Sequence, residues 1–217
     1  MTTAAPATST LAAQHDAYAA GYDAQVRAYD CYLAELLFGL SFEYVRPGDS
    51  LLDLGIGTGL AAELYAKAGL RVSGVDFAAA MLDLCRAKGI AADLRRHDLQ
   101  DVPWPYPAAA FDHAVCCGVL HFVPDLVPFF AETARVLRPG GSFAFTTKWP
   151  AAGEACPVAY EQLPAGEFDV YSHSPAYVAA LVDQCGLIRR KRLRCFVGEE
   201  SFLAWVVELP ERPANEH

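Results

Sequence analysis

The chain has 217 residues, of which 53% are hydrophobic and 20% are charged, the balance of a folded globular protein and not of a disordered or fibrous one. Its 26 acidic and 17 basic residues leave a formal net charge of −9. Such a charge repels phosphate backbones and disfavours nucleic acid as a partner.

The cysteines and the lengths of the apolar stretches indicate the cellular compartment in which the protein is expected. The seven cysteines are odd in number and none stands in a C-x-x-C or other metal spacing, which predicts a reducing cytoplasm, no disulfide framework and no bound metal. Apolar stretches stay short of the roughly 20 residues that a membrane span needs, and the N-terminus lacks the features of a secretory signal. No membrane partner is therefore expected, and residues 1–14 and 209–217 are predicted to be disordered or flexible tails.

The first predicted element is a helix from about His15 to Tyr44, within an N-terminal helical cap of residues 15–46. Aromatic and aliphatic residues recur there at spacings of three and four, the period of one helix face. Pro47-Gly48-Asp49 then ends the helix.

Strands and helices alternate through the body of the chain, which predicts one α/β domain over residues 15–208 with a mostly parallel sheet. The predicted strands are Ser50–Leu54, Arg71–Val75, Ala91–Arg96, Asp112–Cys117, Ser142–Thr147, Leu187–Phe196 and Ser201–Glu208. The predicted helices are Leu60–Ala68, Ala79–Lys88, Leu126–Val136 and Pro175–Cys185. The connection between the last two strands is too short for a parallel crossover, so one strand is expected to be antiparallel.

Two segments in the last third of the chain differ in composition from the rest. Residues 149–174 are rich in proline and glycine and are predicted to be an irregular insertion on the acceptor side of the domain. Arg189-Arg190-Lys191-Arg192 falls in a predicted edge strand, where basic side chains commonly prevent aggregation. A patch for an anionic partner is the alternative.

The segment that carries most information is Asp53-Leu54-Gly55-Ile56-Gly57-Thr58-Gly59, a strand that runs into a glycine turn and a helix start. Such a turn lets the backbone approach a ligand closely, although in isolation it could be a structural link. Leu60 stands where the dinucleotide fingerprint G-x-G-x-x-G needs its third glycine, so the spacing argues against NAD.

Two acidic residues stand at the ends of later strands. Asp76 follows the glycine turn by about 20 residues, where a carboxylate can accept hydrogen bonds from ribose hydroxyls. Asp98 occupies the next strand end and could instead cap a turn. Ligands bind at the carboxyl ends of parallel strands, so this arrangement predicts a nucleoside site.

With these motifs, the sequence resembles the class I S-adenosylmethionine-dependent methyltransferases over about residues 15–208. The matching segments are Asp53 to Gly59, Gly74-Val75-Asp76-Phe77 with Met81-Leu82, His97-Asp98-Leu99, Phe111 to Val115, and Arg135 to Gly141. The resemblance implies a Rossmann-like fold whose seven-stranded, mostly parallel sheet has one antiparallel strand and helices on both faces. It also implies S-adenosylmethionine as cofactor and S-adenosylhomocysteine as product.

The resemblance assigns the donor site residue by residue. The glycine turn would hold the methionine end, Asp76 the ribose, and Phe77 and Met81 the adenine, with core packing as the alternative for the last two. The full set of cofactor-binding residues expected from it is Asp53, Gly55, Ile56, Gly57, Thr58, Asp76, Phe77, Met81, Asp98, Leu99 and Gly118.

Methyl transfer from a sulfonium is a direct displacement that needs alignment and exclusion of water more than acid–base machinery. The segment after the fourth strand, Cys116-Cys117-Gly118-Val119, lacks the D/N-P-P-Y sequence of enzymes that methylate planar amines. Oxygen ligands for magnesium are also missing from the ends of strands four and five. We therefore expect no metal.

The acceptor site is predicted from aromatic and histidine residues outside the donor motifs: Tyr18, Tyr22, His121, Trp149, Tyr171 and His173. His121 and His173 are the candidate catalytic residues because an imidazole can deprotonate a hydroxyl or thiol. The alternatives are a structural role for each histidine and lid packing for Trp149 and the tyrosines.

The expected function is methylation of an oxygen, sulfur or nitrogen nucleophile of a small molecule by a cytoplasmic monomer or homodimer. Methylation of a protein side chain, a non-catalytic S-adenosylmethionine-binding regulator and, more weakly, a dehydrogenase are the alternatives. The sequence does not identify the acceptor.

Overall fold

The structure, a computed structural model, describes residues 16–165 and 168–211. Its helices are α1 (Tyr22–Ala28), α2 (Leu33–Ser41), α3 (Leu60–Lys67), α4 (Ala79–Lys88), α5 (Val127–Val136) and α6 (Pro175–Gln184). Its strands are β1 (Ser50–Leu54), β2 (Arg71–Asp76), β3 (Asp93–Arg96), β4 (Phe111–Cys116), β5 (Leu137–Lys148), β6 (Tyr160–Ala165), β7 (Phe168–His173), β8 (Ile188–Val197) and β9 (Glu200–Glu208). Short 3₁₀ turns span Ala19–Gly21, Leu120–Phe122 and Gly153–Ala155.

Seven strands form one sheet in the order β3-β2-β1-β4-β5-β9-β8. The pairs from β3 to β5 are parallel, and β9 runs antiparallel to both β5 and β8. The predicted α/β, Rossmann-like sheet with one antiparallel strand is therefore confirmed, and the basic segment of β8 lies at the sheet edge, as expected.

Alternate residues of the central strands enter two hydrophobic clusters, one on each face of the sheet. Leu52 belongs to a cluster that includes residues of α5 and α6, and its neighbour Leu51 belongs to a cluster that includes residues of α2, α3 and α4. The helices thus cover both faces, which leaves the ends of the strands as the place for a site.

The continuous helix predicted from His15 to Tyr44 is wrong. His15 lies outside the described residues, and the helix is interrupted between α1 and α2, where Asp30 has a φ of 49°. Asp is one of the few side chains that tolerate this left-handed conformation. The helical spacing of apolar residues continues across this interruption, so periodicity alone could not detect it.

Residues 149–174 are not irregular throughout. β6 and β7 pair as an antiparallel hairpin with Tyr160 opposite His173 and Glu161 opposite Ser172. Pro164 lies within β6, which a two-stranded sheet accommodates because each strand has a free edge. The prolines concealed this hairpin in the sequence. The predicted tails lie outside the described residues except for residues 209–211.

Candidate functional site

A cavity of about 260 Å³ opens at the carboxyl ends of β1, β2 and β4. Its walls include all but one of the residues expected to bind the cofactor: Asp53, Gly55, Ile56, Gly57, Thr58, Asp76, Phe77, Met81, Leu99 and Gly118. The parallel sheet brings these residues together because each motif follows or ends a strand that points to the same edge.

The glycine turn after β1 adopts backbone conformations that require glycine. Gly55, Gly57 and Gly59 have φ angles of 77°, 53° and 88°, the region that L side chains rarely enter. The amides of Gly55 and Ile56 donate to the carbonyl oxygen of Val75 over 2.8 and 3.0 Å. The turn is therefore tied to the end of β2 and presents its backbone to the cavity.

Asp76 ends β2 and is only 7% exposed. Its Oδ2 accepts a hydrogen bond from the amide of Gly57 and its Oδ1 accepts one from the amide of Ala78, both over 2.8 Å. Burial raises the pKa of Asp76, and these backbone hydrogen bonds oppose the shift. Each carboxylate oxygen keeps a second lone pair with which a ligand could be held.

Asp53 is the most buried acidic residue in the cavity wall, with 1% of its surface exposed. Its Oδ2 has no hydrogen-bond partner among the described residues. Burial, and secondarily the carboxyl of Asp76, raise the pKa of Asp53 to about 8. The cavity therefore contains an acidic group whose charged form is disfavoured by burial, with one carboxylate oxygen left without a partner among the described residues.

Asp98 is the expected cofactor residue that does not line the cavity. Its Oδ1 accepts a hydrogen bond from the amide of Gln100 over 2.9 Å, so it closes the turn that follows β3, which was the alternative role for this residue. Only its neighbour Leu99 reaches the cavity wall.

The N-terminal segment covers one side of the cavity. Tyr22 and Val26 of α1 line it together with Cys31 and with Leu33 and Ala34 of α2. Tyr22 also packs with Phe77 against a small cluster built from Ala19, Ala78 and Met81. Burial raises the pKa of Tyr22 to about 12, so this phenol is neutral.

Two carboxylates that sequence reasoning missed attach this cover to the cavity. Asp23 accepts a hydrogen bond from Thr58 Oγ1 over 2.5 Å and pairs with Lys88 Nζ at 2.6 Å. Asp16 accepts a hydrogen bond from the amide of Ala80 over 2.8 Å. Both acids stand in the N-terminal stretch that resembles the family, but their partners lie 35 or more residues away.

Another part of the cavity wall is apolar and aromatic. It contains His121, Phe122 and Val119 from the segment after β4, and Val197 and Phe202 from the β8–β9 hairpin. The His121 ring lies 4.1 Å from that of Phe122 and 6.0 Å from that of Phe202, between centroids. Sequence analysis identified His121 but not the hairpin residues, because they are remote in the chain and carry no motif.

Four predicted acceptor residues, Tyr18, Trp149, Tyr171 and His173, do not line this cavity. Tyr18 is 50% exposed, the guanidinium of Arg194 lies 4.5 Å from the centre of the Trp149 ring, and Tyr171 packs edge-on against Tyr160 in the β6–β7 hairpin. The placement of these residues corrects the prediction that they form the acceptor pocket with His121.

His173 is wholly buried at the end of β7. Its Nε2 donates to the carbonyl oxygen of Pro124 over 3.2 Å, and burial lowers its pKa to about 4. The ring is thus neutral and holds the segment that follows His121, a structural role in place of the predicted catalytic one. The next residue, Ser174, caps the N-terminus of α6, because its hydroxyl accepts a hydrogen bond from the amide of Tyr177.

Within residues 16–165 and 168–211, no group of three or more His, Cys, Asp or Glu side chains could hold a metal ion. None of the helices in these ranges is long and apolar enough to cross a membrane.

Comparison with known proteins adds sequence and structural relatives. Residues 52–145 match the family model of a methyltransferase domain. A malonyl-[acyl-carrier protein] O-methyltransferase of Serratia marcescens is 36% identical over 129 residues, which are 59% of this chain and 49% of that protein. A ubiquinone biosynthesis O-methyltransferase of Klebsiella pneumoniae is 30% identical over 167 residues, 72% of this chain and 66% of that protein.

The chain spans about half the length of the first of these curated relatives. Among solved structures, the 1,6-didemethyltoxoflavin-N1-methyltransferase of Burkholderia thailandensis, determined with S-adenosylhomocysteine, superposes with a TM-score of 0.72 at 19% identity, covering 97% of this chain and 93% of that one. At this identity the likeness establishes the fold.

Proposed function

Because the chain belongs to the class I S-adenosylmethionine-dependent methyltransferase family, we propose that it transfers a methyl group from S-adenosylmethionine to a nucleophile of a small molecule. The observation that carries the proposal is the continuity of one cavity, which reaches from the glycine turn and Asp76 to His121. Donor and acceptor would share this space, and their alignment is the main requirement of a direct displacement.

The donor end fits the cofactor. Asp76 has lone pairs for the ribose hydroxyls, and Phe77 and Met81 offer apolar surface to the adenine. Asp53 presents a buried oxygen that has no partner among the described residues, which the ammonium group of a ligand's amino acid end would satisfy. Bound S-adenosylmethionine supplies an electrophilic methyl group on a positively charged sulfur.

The acceptor end offers apolar and aromatic surface to a small molecule. Phe122, Val197 and Phe202 surround the place where the acceptor would lie, beside His121. His121 is within this wall and would accept the proton that a hydroxyl acceptor loses as its oxygen bonds to the methyl carbon. Dry surroundings strengthen the electrostatic interactions between the reacting groups.

Oxygen is the acceptor atom that we favour. The curated relatives described above are named as O-methyltransferases, one of malonyl-[acyl-carrier protein] and one of ubiquinone biosynthesis. An aromatic, apolar cavity without a carboxylate at its acceptor end suits a neutral hydroxyl acceptor better than a cationic amine, which would need a counter-charge.

A labelled-methyl screen tests this function. Purified protein is incubated with methyl-labelled S-adenosylmethionine and a panel of small hydroxyl, carboxyl, thiol and amine acceptors, and with a protein extract in parallel. We expect label in a small product, and at least about tenfold less of it at subsaturating donor when Asp76→Ala replaces the wild type. Label in macromolecules would support side-chain methylation instead, and donor binding without transfer to any acceptor would contradict catalysis.

A further inference from the structure

Asp53 is a buried carboxyl group in the cavity wall, where a positively charged ligand would change its protonation state. It is 1% exposed at the end of β1, it lines the cavity, and its Oδ2 has no partner among the described residues. A buried carboxylate in this condition is costly, and a protein normally responds by keeping the proton.

The titratable groups that interact with Asp53 come from every element packed around it. They are Asp76 of β2, Tyr65 of α3, Cys85 of α4, and Cys116 with the adjoining Cys117 of β4. All of these are neutral or negative. A backbone hydrogen bond from Ala62 is the one interaction that favours the charged form. No Lys, Arg or His side chain in the described ranges donates to Asp53.

The two carboxyl groups of the cavity, those of Asp53 and Asp76, differ in how well the protein stabilises their charged forms. Both carboxylate oxygens of Asp76 accept backbone hydrogen bonds, among them those from Gly57 and Ala78, whereas Asp53 Oδ2 has no partner among the described residues. Two neighbouring buried carboxyls do not both ionise readily, so the proton resides on Asp53 when the cavity holds no cation. This state agrees with the raised pKa of about 8.

We propose that Asp53 loses a proton to solvent when the cationic donor binds, so that donor binding and deprotonation of this carboxyl are one coupled step. The inference rests on the proposed function, because it needs a ligand with a positive charge in the cavity. In the step, the O–H bond of the Asp53 carboxyl breaks, the proton passes to the buffer, and the carboxylate remains beside the ligand's charge. Donor affinity then increases with pH through the range below pH 7.

Calorimetry in buffers with different enthalpies of ionisation measures the released proton directly. At pH 7 we expect close to one proton released per S-adenosylmethionine bound, because a group with a pKa near 8 is mostly protonated there. Between pH 5.5 and 7 the affinity should rise about tenfold per pH unit, a range that stays below the titration of the ligand's own amino group.

Two ligands show which positive charge acts. S-adenosylhomocysteine carries the ammonium group without the sulfonium, and 5′-methylthioadenosine carries neither. Proton release with both S-adenosylmethionine and S-adenosylhomocysteine supports coupling to the ammonium, and release with the former alone supports coupling to the sulfonium. Equal release with 5′-methylthioadenosine would contradict the proposal.

Asp53→Asn is the matched variant because its amide copies the shape of the protonated acid and does not titrate. It should bind with no proton release and with an affinity that does not change between pH 5.5 and 7. If its folding is impaired, infrared difference spectra of the wild type should show a protonated carboxyl band that disappears on binding. Binding heat without proton release, or an undiminished release in Asp53→Asn, overturns the inference, whereas absence of any binding heat overturns the proposed function as well.

Discussion

The backbone amide of Gly57 donates to Oδ2 of Asp76 over 2.8 Å, which connects the glycine turn after β1 to the last residue of β2. The same carboxylate is the group that we expect to hold the ribose. One side chain therefore shapes the glycine turn, and by our proposal it would also contact the donor.

We predict that Asp76→Ala weakens binding of S-adenosylhomocysteine by at least about 10- to 150-fold. Hydrogen bonds to charged groups contribute about 1.5–3 kcal/mol each, so loss of a single ribose bond accounts for that range. Calorimetry at constant pH checks it, with Asp93→Ala as control because Asp93 pairs with Arg95 on β3. Affinity within threefold of wild type would remove the ribose assignment.

A second prediction about the glycine turn concerns Gly74 of β2. A Cβ at this position would lie 2.3 Å from Ile56 Cδ1 and 2.9 Å from Ile56 Cβ, so Gly74→Ala must displace Ile56 and the turn that contains it. Overpacking of this kind costs about 1–3 kcal/mol. The midpoint temperature of thermal unfolding and the affinity for S-adenosylhomocysteine should both decrease.

The double variant Gly74→Ala/Ile56→Ala provides the control for this clash. Because the shorter side chain makes room for the new methyl group, the double variant should lose less stability than the sum of the two single variants. Strict additivity would show that the two residues do not collide.

The cover over the cavity depends on Asp23. Lys88→Met removes one of its partners, and since both side chains of this pair are 27% exposed, we expect donor affinity to fall by no more than about fivefold. Asp23→Ala also removes the bond from Thr58 and should have the larger effect, mainly as faster dissociation. Stopped-flow dissociation rates test this, with Lys67→Met, which breaks the pair with Glu63 on α3, as the unaffected control.

For His121 we predict that replacement by Ala lowers the rate of methyl transfer to a hydroxyl acceptor by about 10²–10⁴-fold, the usual contribution of a general base. Binding of S-adenosylhomocysteine should stay unchanged. Single-turnover transfer of labelled methyl to the acceptor found in the screen provides the measurement. A rate near that of wild type would leave His121 as a wall of the pocket only.

His173 should make the protein sensitive to acid. Its pKa is about 4 in the folded protein and near 6.5 when exposed, so the unfolded chain binds more protons between these values and stability falls as the pH is lowered from 6.5 to 4. The full window corresponds to roughly 3 kcal/mol.

Urea unfolding between pH 7 and 4.5 measures this slope. His173→Gln keeps an N–H donor for Pro124 without a titrating ring, so its stability should depend less steeply on pH. The comparison isolates His173 because Asp53, whose raised pKa acts in the opposite direction over the same range, is present in both proteins. Equal slopes would show that the ring is not held neutral.

Much of the donor half could be read from the sequence. The glycine turn, Asp76 and Leu99 lie at or just after the ends of strands, and the spacing of apolar residues predicts that these strands alternate with helices. Parallel strands bring their carboxyl ends to one edge of the sheet, which places these residues together. Asp98 was assigned by the same logic and closes a turn instead, because a position at a strand end does not determine where a side chain points.

The part of the cavity that we propose for the acceptor depends on the tertiary structure. The sequence by itself determined the order of strands and helices and the residues of the glycine turn, since these depend on neighbours a few positions apart. Only packing between distant segments decided that Phe202 joins His121, that Asp23 holds Thr58, and that the β6–β7 hairpin takes His173 away from the cavity. These contacts join residues 35 to 81 positions apart, across elements whose relative placement depends on burial in the whole molecule and leaves no local pattern.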